Sequence, residues 1–156
     1  MKIDEYSGFL DSWFLAIEKL GIDVTNLPLD HLGYSAGSSK EYDKIKLEFL
    51  TAGRLFREAM ISDRRVCIFE LFKPLKYKDY FISAVELIEP KAGELPRSGF
   101  EHAEFTIDFP FEDLVKKHPS LSWGISHVNQ PNFPRLKIVL DDGTELKFNR
   151  LPILKS

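Results

Sequence analysis

Residues 100–109 combine a histidine and several carboxylates with the alternation of a β-strand. The apolar side chains of this stretch are Ala103, Phe105 and Ile107, and the polar ones are His102, Glu104, Thr106 and Asp108. Because successive side chains of a strand point to opposite faces of a sheet, one face would be apolar and the other polar. Imidazole and carboxylate groups are common ligands of divalent metals, so the polar face indicates metal or acid–base chemistry.

A second stretch, residues 29–35, has the same form. In it His31, Gly33 and Ser35 alternate with Leu32 and Tyr34, and an acid precedes the histidine in both stretches, as Asp30-His31 and Glu101-His102. A single histidine is most often structural, but two at matching places in similar segments favour a shared metal site. Strict alternation would put each acid on the face opposite its histidine. We therefore predict that neither Asp30 nor Glu101 is a partner of the neighbouring imidazole.

The elements that would position these residues form a repeated unit. Hydrophobic spacing predicts an amphipathic helix over residues 4–20, and the rest of the chain follows the order strand, helix, strand, strand, strand twice. The predicted runs are 29–35, 40–53, 57–62, 65–72 and 80–90, then 100–109, 111–118, 121–128, 135–140 and 144–151. Residues 73–78 are predicted to be a loop, and residues 91–99, with Gly93, Pro96 and Gly99, a linker.

This order predicts an α+β fold: two βαβββ modules that form a curved mixed sheet around a cleft, plus an N-terminal helix. Residues 1–156 would form a single domain, with the helix in 1–22 and the modules in 29–90 and 100–151. By strand parity the cleft face collects His31, Glu86, His102 and Glu145, with Glu104 and Glu70 nearby. Two histidines and two carboxylates that converge in this way would form a workable site for a divalent metal ion.

Composition limits the classes of function. The chain has 156 residues, a net charge of −3 and 13% aromatic residues, so it has no surplus of cations with which to neutralise nucleic acid. The single cysteine, Cys67, lies in an apolar run, which favours a buried structural side chain and a reducing compartment. No segment has the pattern of a signal peptide or a membrane span, so we expect a cytoplasmic protein without a nucleic acid or membrane partner.

The paired βαβββ pattern resembles the vicinal oxygen chelate superfamily, which includes glyoxalase I, methylmalonyl-CoA epimerase and extradiol dioxygenases. More narrowly, the segments D-H-L-G-Y, F-E-L-F-K-P-L, V-E-L-I-E-P and H-A-E-F are similar to those of the YecM-like family. The resemblance extends from residue 29 to residue 151 and leaves the N-terminal helix outside. It implies a divalent metal ion, for which Zn, Ni, Mn, Fe and Co are all candidates.

The superfamily pattern also implies which residues hold the metal. The first strand of each half usually supplies a histidine and the last strand a glutamate, which implies His31, Glu86 and His102. The fourth position departs from the pattern, because superfamily members commonly place a glutamate where this chain has Lys147. Glu145 has the same face parity two residues earlier and would be the fourth ligand. Alternatively, the site has three protein ligands, or Glu104 takes the fourth place.

Three kinds of function are open at this point. The first is a metal-dependent isomerase, lyase or dioxygenase acting on a small-molecule substrate, which could be anionic, with Glu145 or Glu104 as catalytic base. The second is a non-catalytic protein that binds a metal or small ligand in the same cleft. The third is a purely structural module. Arg65 could hold an anionic substrate, and the chain could act as a monomer or a homodimer.

Overall fold

The structure, a computed structural model, describes residues 1–95 and 97–156; Pro96, part of the predicted linker, lies outside the described residues. A 3-10 turn, Lys2–Glu5, precedes helix α1, Tyr6–Leu20. The first module contains β1 (Leu29–Ser35), α2 (Ser39–Phe49), β2 (Gly53–Ile61), β3 (Arg64–Tyr77) and β4 (Tyr80–Ile88). The second contains β5 (Gly99–Thr106), α3 (Phe111–Lys117), β6 (Trp123–Gly124), β7 (Arg135–Val139) and β8 (Glu145–Asn149), and a 3-10 turn follows at Ile153–Lys155.

Eight strands in the described part of the chain form one mixed sheet, in the order β2-β3-β4-β1-β5-β8-β7-β6. Within each module the first and last strands are parallel neighbours, β1 with β4 and β5 with β8. The two modules join where β1 and β5 pair antiparallel. The predicted α+β fold of two βαβββ modules with an N-terminal helix is confirmed, and the first strands of both modules lie at the centre of the sheet.

One face of the sheet packs against the helices. Trp13 of α1 is buried, and its ring centroid lies 5.4 Å from that of Phe105 on β5. Helix α1 ends at Gly21, whose φ of +74° is a left-handed conformation that favours glycine. Helix α2 begins after Ser38, whose hydroxyl accepts a hydrogen bond from the backbone N–H of Glu41. Because this face carries the large apolar side chains, the polar side chains of β1, β4, β5 and β8 lie on the other face.

Several predicted boundaries differ from the structure. The predicted helix 40–53 ends at Phe49, and the strand predicted over 57–62 begins at Gly53. Strand β3 continues to Tyr77, so most of the predicted loop 73–78 is strand. Its pairing with β4 is interrupted between Glu70 and Leu75 and then resumes. The interruption contains Pro74, which has no N–H to donate to the ladder but does not end the strand. The predicted strand 121–128 is reduced to Trp123–Gly124. No helix among the described residues is long and apolar enough to cross a membrane.

Candidate metal centre

Three buried side chains bring potential metal ligands together at the centre of the sheet. One atom each from His31, His102 and Glu104 lies within 4.8 Å of the other two. His31 is 1% exposed, and His102 and Glu104 are fully buried. Imidazole nitrogens and a carboxylate oxygen are the ligand types of many divalent-metal sites in proteins, so these three side chains could hold an ion.

The strand register explains why these residues meet. His31 lies directly opposite Glu104, and Gly33 directly opposite His102, across the β1–β5 pair. Side chains directly opposite each other in an antiparallel pair have Cβ atoms about 5 Å apart. The cluster is therefore a product of the seam between the two modules, since each module alone supplies only one of the two histidines.

Two β-bulges place each acid on the same face as its histidine. The β1–β5 pairing shifts between Leu29 and His31, which makes Asp30 an extra residue in β1, and a second shift makes Glu101 an extra residue in β5. A bulge interrupts strict alternation and re-aims a side chain. The Nδ1 atom of His31 lies 2.7 Å from Asp30 Oδ2, and that of His102 lies 3.2 Å from Glu101 Oε1. The prediction that both acids face away from their histidines is wrong for this reason.

These carboxylates orient the imidazoles toward the cluster. When the Nδ1–H group donates to a carboxylate, the Nε2 lone pair is left for another partner, and metal-binding histidines commonly have this arrangement. Asp30 is itself held by the backbone N–H of Ile153, at 2.9 Å. Burial alone would lower the pKa of His31, but the negative charges of Glu104 and Asp30 outweigh burial and raise it. The site is therefore strongly attractive to positive charge.

Two atoms of the cluster lack partners. His102 Nε2 and Glu104 Oε1 are buried and have no hydrogen-bond partner within residues 1–95 and 97–156. His31 Nε2 lies 3.8 Å from Glu104 Oε1, which is too long for a hydrogen bond. The other oxygen of Glu104 accepts a hydrogen bond from the Asn149 amide. Unpaired buried polar atoms are costly, and a cation between them would remove that cost, so the residues present suit a metal ion.

Gly33 makes room for the imidazole of His102. A Cβ atom built on residue 33 would lie 2.0 Å from His102 Cε1, which is far inside van der Waals contact. The ring of His102 therefore lies over the bare backbone of β1, as only a glycine allows. The sequence places Gly33 on the polar face but carries no sign of what approaches it.

Glu86 of β4 borders both the cluster and the cleft. It lies next to Gly33 in the β1–β4 register, is 8% exposed, and has its Oε1 atom 3.4 Å from His102 Nε2. Burial would raise the pKa of Glu86, but the imidazole of His102 and the charges of His31 and Lys147 lower it well below its usual range. The side chain is thus a carboxylate at the edge of the cluster, where it could approach an ion or a ligand.

Glu145 lies on the strand next to the cluster, but its carboxylate forms ion pairs with lysines. It lies beside His102 in the β5–β8 pair, yet its oxygens lie 3.1 Å from Lys137 Nζ and 3.7 Å from Lys147 Nζ. The structure therefore brings together His31, His102 and Glu104, with Glu86 adjacent, and turns Glu145 toward lysines.

Two other side chains considered for the cleft also lie in ion pairs. Glu70 accepts a hydrogen bond from Arg54 at 2.7 Å. Arg65 lies 2.6 Å from Glu89 and 4.3 Å above the ring of Tyr42, on the side of helix α2. Its neighbour Arg64 lines the cleft, together with Arg97 and Arg135.

A cavity of about 470 Å³ borders the cluster through Glu86 and Glu101, the two carboxylates that lie against His102. Its wall includes Glu86, Glu101, Glu145, Lys147 and His127. This volume is within the range of sites that bind small molecules.

A small apolar cluster closes the sheet face on the other side of His31. It is formed by Ile68, Ala84 and Ile153, with Phe56, Phe133 and Leu154 packed against them. The ring centroid of Phe133 lies 6.5 Å from that of His31. Sequence patterns gave no reason to select Phe133, and strand parity argued against Asp30, although the repeated acid–histidine pair pointed to it. Asn149, by contrast, shares the parity of Glu145 along β8 and could have been found.

Comparison with known proteins gives consistent results. A family model described as YecM protein matches residues 2–148. Protein YecM of Escherichia coli K12 is 30% identical over 89 residues, which are 57% of this chain and 47% of that protein. The chain spans about half the length of the curated relatives it matches. A solved structural-genomics protein, EC4020, superposes with a TM-score of 0.80 at 25% identity, over 97% of this chain and 87% of its own.

More distant structures share the fold. A variant of Streptomyces coelicolor methylmalonyl-CoA epimerase in complex with 2-nitronate-propionyl-CoA has a TM-score of 0.57 at 11% identity, over 84% of this chain and 99% of its own. A proposed dioxygenase from Bacillus subtilis has a TM-score of 0.51 at 15% identity, over 81% of this chain and 41% of its own. The chain therefore shares the fold of these proteins.

Proposed function

Because this chain belongs to the YecM family and has the vicinal oxygen chelate fold, we propose that it binds one divalent metal ion through His31, His102 and Glu104 and acts on a small oxygenated substrate. The observation that carries the proposal is the convergence of these three buried side chains, with two atoms that have no hydrogen-bond partner in the described residues. The carboxylate behind each imidazole supports it, since Asp30 and Glu101 hold the two Nδ1 atoms.

The chemistry follows from the donor set. A bound divalent ion would act as a Lewis acid on two adjacent oxygens of the substrate. Glu86 borders both the cluster and the cavity, so its carboxylate is placed to take a proton from a substrate carbon beside those oxygens. Glu145 lines the same cavity and is the second candidate for this role. Glu104 is fully buried, and we assign it to the metal.

The residues around His31 exclude water from one side of the centre. Ile153 is 2% exposed and donates its backbone N–H to Asp30, while Phe133 faces the His31 ring. A ligand would therefore reach the centre from the cavity side. Low local polarity strengthens the interaction between a metal and its ligands.

Metal content measured on purified protein tests the proposal. We expect about one equivalent of a divalent metal in the wild type and in a His118→Gln control, since His118 lies at the end of α3 away from the cluster. We expect little or none in His31→Gln and His102→Gln, after circular dichroism has shown that both variants are folded. Equal metal content in all four proteins would refute the proposal.

A second candidate function is oxygen chemistry at iron. Two histidines and one carboxylate with open positions are the ligand set of many non-haem Fe(II) oxygenases, and the three-residue cluster has this composition. Oxygen consumption by Fe(II)-loaded protein with a catechol would favour a dioxygenase. Chelator-sensitive proton exchange on a substrate carbon, without oxygen consumption, would favour an isomerase or lyase. Metal binding without either reaction would identify a binding protein.

A cytoplasmic location remains a prediction from the sequence.

A further inference from the structure

The wall of the cavity is rich in positive charge although the chain as a whole is acidic. Six basic side chains line the cavity: Arg64, Lys91, Arg97, Arg135, Lys137 and Lys147. The chain carries a net charge of −3, so this local excess runs against the overall composition. A surface cleft that concentrates one sign of charge attracts ligands of the opposite sign.

The four acids of the same cavity offset only part of this charge. Glu86 and Glu101 lie against His102, Glu145 is shared between Lys137 and Lys147, and Glu94 lies near Arg64. Arg97, Arg135 and Lys91 make no ion pair with any residue that the structure describes. A divalent ion at the neighbouring cluster would add further positive charge.

Arg64 gives the most specific indication of a bound anion. Its Nη1 atom is 3.7 Å from Glu94 Oε1, beyond hydrogen-bond distance. Its Nε atom is buried and has no hydrogen-bond partner in the described part of the chain. A buried N–H without an acceptor is unfavourable, and the planar guanidinium matches the oxygens of carboxylate and phosphate groups. An anionic group in the cavity would supply the missing acceptor.

We infer that the substrate is a small anion, whose carboxylate or phosphate group is bound by Arg64 and Arg135 while its other oxygens reach the metal centre. This inference rests on the proposed function, because the cavity borders the proposed metal centre through Glu86 and Glu101. It adds the charge class of the substrate and two residues that select it. Arg135 lies beside the Phe133 ring, at 5.5 Å from the centroid, and the Phe133 ring centroid lies 6.5 Å from that of His31.

Calorimetric titration of the full-length protein tests the inference. The probes are malonate, inorganic phosphate and malonamide, the last being the uncharged counterpart of malonate. The proteins are the wild type, Arg64→Gln, Arg64→Lys, Arg135→Gln and, as a matched loss of one positive charge outside the cavity, Arg54→Gln. Metal content and circular dichroism are measured on the same samples.

We expect the wild type and Arg54→Gln to bind at least one of the two anions and not malonamide. Arg64→Gln and Arg135→Gln should each weaken anion binding by about tenfold or more, the effect of losing a hydrogen bond between charged groups. Arg64→Lys should recover only part of the loss, since lysine lacks the planar fork. Preference for malonate would identify a carboxylate, and preference for phosphate a phosphate ester.

Three results would overturn the inference. The first is equal affinity for malonate and malonamide, and the second is no binding of either anion, both measured on folded protein that contains metal. The third is unchanged anion affinity in folded Arg64→Gln and Arg135→Gln. A wild type that lacks metal but binds anions through Arg64 would uphold the anion site and refute the metal centre, so the two proposals fail separately.

Discussion

The two modules match closely where they begin and differ where they end. Each opens with a strand that carries an acid and a histidine, and in each a bulge at the acid turns both side chains to one face. Two residues after the histidine the modules diverge, because the first has Gly33 and the second has Glu104. The imidazole of His102 occupies the space that a side chain at Gly33 would fill. The carboxylate of Glu104 lies close to both histidines.

The last strands of the modules differ in charge. Glu86 pairs with Gly33 in the β1–β4 register, and Lys147 pairs with Glu104 in the β5–β8 register, so Glu86 and Lys147 hold equivalent places. A symmetric pair of modules would have a carboxylate at both. In this chain Lys147 replaces one of them, and Glu104 on the neighbouring strand supplies the carboxylate instead. A repeated backbone can therefore build one asymmetric site where its two modules join.

The largest expected effect separates the two candidate carboxylates of the second module. Glu104→Gln should weaken divalent-metal affinity by more than about 100-fold, since even residues that only support a ligand contribute 10–100-fold. Glu145→Gln should change the affinity by no more than about threefold, because its oxygens lie against Lys137 and Lys147. Competition with a fluorescent chelator measures both. A larger loss of metal affinity in Glu145→Gln than in Glu104→Gln would identify Glu145 of β8 as the ligand.

Gly33→Ala tests the asymmetry from the first module. The added methyl group would collide with the His102 ring, and overpacking of this kind costs about 1–3 kcal/mol of stability. We expect metal affinity to fall by about 100-fold as the ring is displaced from the cluster. Gly8→Ala is the matched control, because nothing lies within 4 Å of its added Cβ in α1, and it should stabilise the helix by about 0.5–1 kcal/mol. Thermal unfolding and metal titration of both variants provide the measurement, and normal metal binding by Gly33→Ala would be inconsistent with the asymmetric site.

The two acids behind the histidines should have smaller and unequal effects. Asp30→Asn and Glu101→Gln should each lower metal affinity by about tenfold, the lower end for residues that orient a ligand. The effect of Asp30 should be the larger of the two, because its contact with His31 is shorter and it also accepts from Ile153. Metal titration at constant pH decides the order. No loss in either variant would mean that the bulges have no role in metal binding.

The smallest effect concerns the ion pairs that tie the third and fourth strands of each module. Arg65 holds Glu89 in the first module, and its hydrogen bonds lower the pKa of Glu89 from 4.5 to about 2. The pair therefore stabilises the fold fully above pH 4.5, and this contribution is lost as the pH falls toward 2.

Glu89→Gln should lower the free energy of unfolding by about 2 kcal/mol at pH 7. Its unfolding curve should converge with that of the wild type in acid. Glu145→Gln, which breaks the more exposed pair of the second module, should cost less than about 1 kcal/mol, and Glu18→Gln on the exposed face of α1 serves as the control. Urea unfolding between pH 2.5 and 7 makes the comparison. A wild-type advantage that persists unchanged at pH 2.5 would contradict the role of this pair.

Much of the fold could be predicted from the sequence because strand alternation and the repeated order of elements are local signals. They predicted that His31, Glu86, His102 and Glu104 share the face opposite Leu32 and Phe105, and the structure has this arrangement. The bulges at Asp30 and Glu101 could not be predicted in this way, since they depend on how β1 and β5 pair across 70 residues of chain.

Sequence reasoning could not tell which of Glu104 and Glu145 lies beside the two histidines. Both have cleft-facing parity, and the difference lies in which side chains compete for them. Glu145 meets Lys137 on the adjacent strand β7, whereas Glu104 meets His31 across the module seam. Such pairings follow from tertiary register and not from local pattern.

Anomalous diffraction from crystals of the protein loaded with Zn²⁺ or Mn²⁺ would locate the ion and its ligands. We expect a single strong peak close to His31 Nε2, His102 Nε2 and a Glu104 oxygen, at about 2.0–2.2 Å from each. A peak held by Glu145 without Glu104, or imidazoles of His31 and His102 that bind separate ions, would contradict this expectation.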